Sequence, residues 1–270
     1  MEIKPLFDPE RAGRPMRVAA FLSGSGSNIR RLIEHWKKLQ AKEKTAPFEV
    51  VLLYSDRSDG SCAGESIAHE YALPYASFDI RAFHRSRGLR RNITIPEGIK
   101  ARKDYDQIPS LLLKAFDVDV TALGGYMSYT TIKGCVNVHP ADLSITDASG
   151  KRKFTGDHAV RDAVMAGETE LRSSTLWTDK GVDTGPLLMV SDPIPVTLPK
   201  PLPDLAEDKE ALEKAVDGLQ EELKRAGDWL IFPRTVEMIA RGRFALDEGG
   251  SVYVDGKPVP AGFRENATGL

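Results

Sequence analysis

The chain holds two cysteines in 270 residues, Cys62 and Cys135. Two isolated thiols make neither a disulfide framework nor a zinc-ligand spacing, and they suit a reducing compartment. Long apolar runs are also missing, and none approaches the roughly 20 residues of a membrane span. The opening MEIKPLFDPERAGRPMR carries mixed charge and no apolar core, so the expectation is a cytoplasmic protein with no signal peptide. Nor is there an excess of one charge. Lys and Arg number 37, Asp and Glu 39. The one locally basic stretch, RAFHRSRGLRR (81–91), reads as a solvated loop, so neither nucleic acid nor membrane is expected as a partner. No G-x-S-x-G elbow is present, no His/Cys/carboxylate group has metal spacing, and no repeat is visible.

What is present is 41% apolar residues in a chain long enough for a substantial core. RVAAFLSG (17–24), EVVLLYSD (49–56), PYASFD (74–79), VDVTALGG (118–125) and GCVNVH (134–139) read as strands. Between them, 27–40, 61–73 and 106–116 read as helices. In 27–40, Ile29, Leu32, Ile33, Trp36 and Leu39 fall at helical spacing. The alternation predicts an α/β fold, a mainly parallel twisted sheet with helices on both faces and a Rossmann-type N-terminal half. Residues 1–16 read as an irregular extension and 80–103 as a long loop, of a length that points to a lid or a family insertion. Beyond residue 140 the pattern predicts a polar loop over 147–157 and a helix over 158–167. Strands at 171–179 and 185–196 form an antiparallel extension. A proline-rich break at 199–204, two helices over 207–243 meeting near Gly227 or Pro233, and a C-terminal hairpin follow. The expected organisation is an extension, 1–16, and a single domain, 17–263, with halves 17–133 and 134–263.

Three short stretches could carry chemistry. FLSGSGSN (21–28) is a strand, a glycine turn and a helix start. Free N–H groups at such a helix start can cradle a phosphate, with Ser27 or Asn28 as the cap. A plain, well-capped turn fits the same residues, and the spacing is neither that of a dinucleotide site nor that of a P-loop. Asn137 and His139 leave the same face of their strand at its carboxyl end, where open α/β sheets bind ligands. Imidazole suits proton transfer and an amide can donate to an oxyanion, although a structural pair bonding loop backbone is equally consistent. Asp183, in KGVDTGP, is either a turn aspartate or a carboxylate that favours the charged imidazole. His35, His69, His84 and His158 read as surface or packing residues.

Taken in order, SGSGSN (23–28), LGGYM (123–127), NVHP (137–140), TGDHAVRDAVMAGE (155–168), VDTGPLL (182–188) and IFPRTVEMIARGR…VDGKPVP (231–260) resemble the folate-dependent formyltransferases. The glycinamide ribonucleotide branch is the most similar. The resemblance covers residues 17 to about 263. It implies an enzyme that moves a formyl group from 10-formyltetrahydrofolate, as cosubstrate and without a metal, to the amine of 5'-phosphoribosylglycinamide in purine synthesis. The amine attacks directly, through a tetrahedral intermediate. By the same resemblance Asn137, His139 and Asp183 are catalytic, with Asp183 tuning the histidine. Gly26, Ser27 and Asn28 bind the substrate phosphate, and Asp228 lies on the acceptor side. Arg102, Met127, Ser128, Tyr129, Thr130, Thr178, Asp179 and Val182 line the folate pocket. The implied partners are small molecules, and the chain is a monomer or homodimer.

Two departures from the family pattern stand out. ADLSITDASGKRKFTGD after NVHP is longer and lacks the usual proline, and Ser128 stands where close relatives carry arginine. They leave room for another acceptor, such as an amino sugar nucleotide. A non-catalytic phosphate- or nucleotide-binding module on the same fold is the alternative from a different class.

Overall fold

The computed structural model describes residues 2–89 and 91–265. The chain forms two compact units. One comprises Phe7–Asn137 and Ala240–Gly242; the other comprises Met1–Leu6, Val138–Ile239 and Arg243–Leu270.

The first unit is the parallel part of the α/β fold. Tyr75–Ser77, Phe48–Ser55, Met16–Leu22, Val120–Leu123 and the opening of Cys135–His139 lie side by side in that order. The pairs are parallel, with Val18 opposite both Val50 and Val120, and Leu123 opposite Asn137. Met16–Leu22 is buried almost throughout, as a strand covered on both faces must be. The helix Ser27–Lys42 buries the expected Ile29, Leu32, Ile33, Trp36 and Leu39. Phe21, Tyr54, Phe83, Tyr105 and Tyr126 form an aromatic core.

The predicted loop over 80–103 is mostly helical. Asp79 accepts from Ala82 N at 2.7 Å and caps a helix at Ile80–Arg85. A second helix, Pro96–Ala115, starts with proline in its first turn, where no N–H is needed. Only 86–95 joins the two. The dense charge of the segment masked these helices, because their exposed faces are basic while Ile80, Phe83, Ala101 and Tyr105 are buried. Residues 2–16 contain regular structure as well. Pro9–Ala12 is a helical turn capped by Asp8. Ile3–Pro5, in the other unit, pairs antiparallel with Phe244–Asp247. Its partner is so distant in sequence that local pattern could not reveal it.

In the second unit the two predicted strands are four: Glu170–Leu171, Ser174–Trp177, Leu187–Val190 and Ile194–Pro195. Ser174–Trp177 pairs antiparallel with Leu187–Val190, the expected antiparallel extension. The helix Ala159–Met165 ends near Gly167, which adopts a φ of +79°. The proline-rich break is shorter than expected, because Leu202–Glu207 is helical. Lys209–Leu223 and Trp229–Ala240 join through a π-turn, Lys224–Asp228. The junction therefore includes Gly227, while Pro233 lies inside the last helix. Phe154, Val160, Val164, Leu171, Ile194, Leu205, Leu212, Leu219 and Leu223 form this unit's core. The hairpin Phe244–Asp247/Val252–Val254 gains a third strand, Lys257–Pro258. Asp255 and Gly256, at φ +50° and +76°, make the intervening tight turn. Among the described residues no helix is long and apolar enough to cross a membrane.

Candidate active site

His139 ends the strand Cys135–His139 and is 6% exposed. Pro140 follows and cannot extend the ladder. The ring Nε2 lies 3.0 Å from the Phe154 carbonyl oxygen. A carbonyl only accepts, so Nε2 carries a hydrogen. Nδ1 lies 3.5 Å from Asp183 Oδ2. The local pattern left Asp183 either a turn residue or a partner of the imidazole; the fold brings it to His139. Asn137 stands two residues earlier on the same strand, and period-two alternation sends its side chain to the same face.

Asp183 is held from several directions. Its backbone adopts φ +54°, uncommon for a residue with a Cβ. Oδ2 accepts from Gly156 N at 2.8 Å. The half-buried Arg152 donates to the carbonyls of Asp183 and Gly185, the latter at 2.8 Å. Burial holds the Arg152 guanidinium below its ordinary value, against the opposing pull of Asp183 and Asp179. Gly185 is required by close approach: a Cβ there would sit 2.0 Å from the Trp177 carbonyl oxygen. Arg152 and Phe154 were invisible as site residues, since KRKF within a polar loop has no distinguishing pattern, and Gly156 stood out only as part of TGDHAVRDAVMAGE.

The glycine turn resolves differently from expectation. Gly26 itself is the N-cap of Ser27–Lys42, at φ +67°, and no side chain caps that end. Ser27 and Asn28 are therefore the first helical residues, not the cap. Gly26 fits because a Cβ would fall 2.4 Å from Ile67 Cδ1 and 2.7 Å from Leu22 Cδ1.

The remaining predicted residues fall into three groups. In the first unit Arg102 is buried, paired with Asp106 at 2.6 Å and with the Tyr126 hydroxyl at 3.0 Å. Burial opposes its charge, but Tyr126 and Asp106 outweigh that, and the guanidinium is held above its ordinary value. Its Nε and Nη1 have no hydrogen-bond partner among the described residues. The same Asp106 binds Thr131 N at 2.6 Å and Thr130 Oγ1 at 3.3 Å. Burial pushes the phenols of Tyr54, Tyr105 and Tyr126 well up, so they remain protonated. Met127 is exposed, with its N–H donating to Ser23 Oγ at 2.9 Å, and Ser128 Oγ donates to the buried Asp56. Tyr129 lies between Ser128 and Thr130 in this segment.

The second group belongs to the other unit. Asp179 Oδ1 accepts from Gly181 N at 2.8 Å and Thr184 Oγ1 at 2.7 Å, which shapes the loop that carries Asp183. Thr178 opens this loop and Val182, on it, is exposed. The third is Asp228, buried in the π-turn, where it accepts from Ser173 Oγ at 2.5 Å. Of the other histidines, His84 is buried with Nδ1 2.7 Å from the Ile80 carbonyl oxygen, a packing role.

An α/β fold with an imidazole against a carboxylate at the end of a buried strand has the parts of an enzyme that couples proton transfer to its chemistry. The formyl transferase family model matches residues 16–216, most of the chain, and the chain belongs to that family. It is similar to the trifunctional purine biosynthetic protein adenosine-3 of Drosophila melanogaster. Identity there is 28% over 236 residues, covering 85% of this chain and 14% of the relative. The chain thus spans about one seventh of that relative's length. Among solved structures, a phosphoribosylglycinamide formyltransferase from Coxiella burnetii matches with TM-score 0.63 and 22% identity. The match covers 93% of this chain and 99% of that one. A formyltetrahydrofolate deformylase from Pseudomonas syringae pv. tomato matches with TM-score 0.59 and 14% identity, covering 90% and 67%. At these identities the structural matches establish the shared fold.

Proposed function

We propose that this chain transfers a formyl group from 10-formyltetrahydrofolate to the amine of 5'-phosphoribosylglycinamide. The observation that carries the reading is the His139–Asp183 contact, 3.5 Å between ring and carboxylate, at the end of the strand bearing NVHP. The acceptor amine attacks the formyl carbon, and negative charge collects on the formyl oxygen. The Asn137 amide and the His139 imidazole stabilise that charge, and one such donor is worth on the order of 3 kcal/mol in the transition state. The intermediate collapses by breaking its bond to N10 of the folate, and tetrahydrofolate leaves. N10 takes up the proton that the attacking nitrogen loses, a transfer assigned to His139. Both ring nitrogens face acceptors, Phe154 O at 3.0 Å and Asp183 Oδ2 at 3.5 Å, and Asp183 is assigned the role of tuning the ring. Gly26, Ser27 and Asn28 would bind the acceptor's phosphate, a role supported by a helix N-terminus without a side-chain cap. Asp228 is assigned to the acceptor side, and Arg102, Met127–Thr130, Thr178, Asp179 and Val182 to the folate.

A second acceptor is the alternative because Ser128, tied to Asp56, stands where the family resemblance implies an arginine. The test is a formyl-transfer assay on wild type and His139→Ala. Transfer to phosphoribosylglycinamide, lost in the variant, supports the full reading. Transfer only to another amine, such as an amino sugar nucleotide, corrects the acceptor. Consumption of the formyl folate by water alone, with any amine present, removes the transferase reading.

A further inference from the structure

The segment between His139 and the helix Ala159–Met165 contains an ordered hairpin. Asp147 turns it, accepting through Oδ1 from Ser149 N at 2.8 Å and Lys151 N at 3.0 Å. Asp147 N also donates to Lys151 O at 2.8 Å, and Lys153 N to Ile145 O at 3.1 Å. Thr146 and Arg152 sit opposite each other across the two arms. The near arm is anchored: Leu143 N donates to Ser174 Oγ at 3.0 Å, and that hydroxyl donates to Ala141 O at 2.7 Å. The far arm carries Arg152, the buried Phe154 and Gly156, and each bonds to the catalytic pair or its loop.

We infer that Arg152 is a positioning residue for the catalytic carboxylate, a role the hairpin exists to deliver. This deepens the formyl-transfer reading and rests on it. The guanidinium spans two carbonyls of one tight loop, those of Asp183 and Gly185, and so fixes the backbone on both sides of Thr184. A planar fork holds two acceptors at a set separation, which a single ammonium does not. Asp183 needs such support, because a left-handed backbone at a non-glycine residue persists only where its surroundings hold it. With the loop held, Oδ2 meets Gly156 N on one side and His139 Nδ1 on the other. Release of Arg152 frees the loop to relax, and the carboxylate leaves the ring. Arg152 touches neither ring nor substrate in this account; it acts through Asp183.

The test compares full-length wild type with Arg152→Ala, Arg152→Lys, Asp183→Asn and the Arg152→Ala/Asp183→Asn double variant. The first readout needs no substrate: long-range proton–nitrogen spectra of the His139 ring, assigned by its loss in His139→Ala. Arg152→Ala should move the Nδ1 resonance in the direction that Asp183→Asn does, with Arg152→Lys part of the way back. The second is turnover. In Arg152→Ala kcat should fall by up to about 10²-fold, as for a displaced catalytic group, with KM values within about twofold. In the Asp183→Asn background the same change should cost less than about threefold, because residues acting through one contact are not additive. A His139 spectrum in Arg152→Ala identical to wild type overturns the inference, as does full multiplication of the two kcat effects. If Arg152→Ala fails to fold, Arg152→Lys decides on both readouts, since it too should weaken the fork. Should wild type transfer no formyl group while the ring signals still move together, the formyl-transfer reading fails and the positioning stands. Formyl transfer by wild type with ring signals that do not move keeps the activity and overturns the positioning.

Discussion

Two buried charge clusters in this molecule are built on opposite plans. In Arg102–Asp106 the partners are one helical turn apart, 2.6 Å between nitrogen and oxygen, with side chains 3% and 4% exposed. Tyr126 and the 130–131 segment close the cluster. In His139–Asp183 the partners come from a strand end and a distant loop, 3.5 Å apart, with Arg152 and Gly156 bracing the carboxylate. The first is fixed by helix geometry and tightly satisfied around the carboxylate. The second is assembled by a strand end and loops, at the longer distance. A tight pair one helical turn apart is encoded locally; a longer one, with loop contacts bracing a left-handed backbone, depends on the tertiary fold.

The comparison predicts a hierarchy of effects. Asp106→Asn leaves the Arg102 guanidinium buried without its carboxylate and should cost about 3–5 kcal/mol in urea unfolding. Asp183→Asn should cost less than about 2 kcal/mol, as for a weakened polar contact. Equal losses would erase the contrast. Activity should show the reverse emphasis: His139→Ala is expected to lower formyl transfer by at least about 10²-fold while circular dichroism stays that of wild type. Next comes Gly26→Ala, which forces a Cβ into a left-handed conformation against Ile67 and Leu22. Its backbone term alone is about 1–2 kcal/mol. Thermal melts should register that loss, and KM for the phosphorylated acceptor should rise more than KM for the formyl donor. An equal rise in both would separate Gly26 from phosphate binding.

The smallest effect is expected at the tail hairpin, where the Arg243 hydrogen bond holds the Asp255 carboxyl below its ordinary value against a weaker opposing effect of burial. A carboxyl whose folded value is lowered stabilises the fold above its unfolded value and ceases to do so as pH falls through the folded one. Asp255→Asn should therefore melt slightly lower than wild type at neutral pH, with the two midpoints converging in acid. A gap that persists at low pH would assign the effect to packing instead.

Much of the fold is legible in the residues alone. Ile29, Leu32, Ile33, Trp36 and Leu39 mark their helix by spacing, and the buried strand at 16–22 is marked by its continuous apolar run. The helices within 80–103 are not legible, because capping by Asp79 and burial of Phe83 and Tyr105 outweigh a charged composition that reads as solvent-exposed. The cap of the glycine turn is not legible either. A left-handed Gly26 satisfies the geometry without a side-chain oxygen, and sequence cannot say which residue takes the positive φ.

By itself the sequence determined the alternating α/β frame, the strand end at NVH with proline just beyond it, and the membership in a formyl transferase family. The first two follow from period and run length, which are local properties of a polymer; the family follows from the ordered set of motifs that its model matches over residues 16–216. Only the tertiary structure decided that Asp183 meets His139, that Phe154 and Gly156 close around that pair, and that Arg152 braces the loop behind it. These contacts join segments far apart in the chain. Loop closure and backbone strain at φ +54° depend on the partners the fold supplies and leave no periodic trace in the residues themselves.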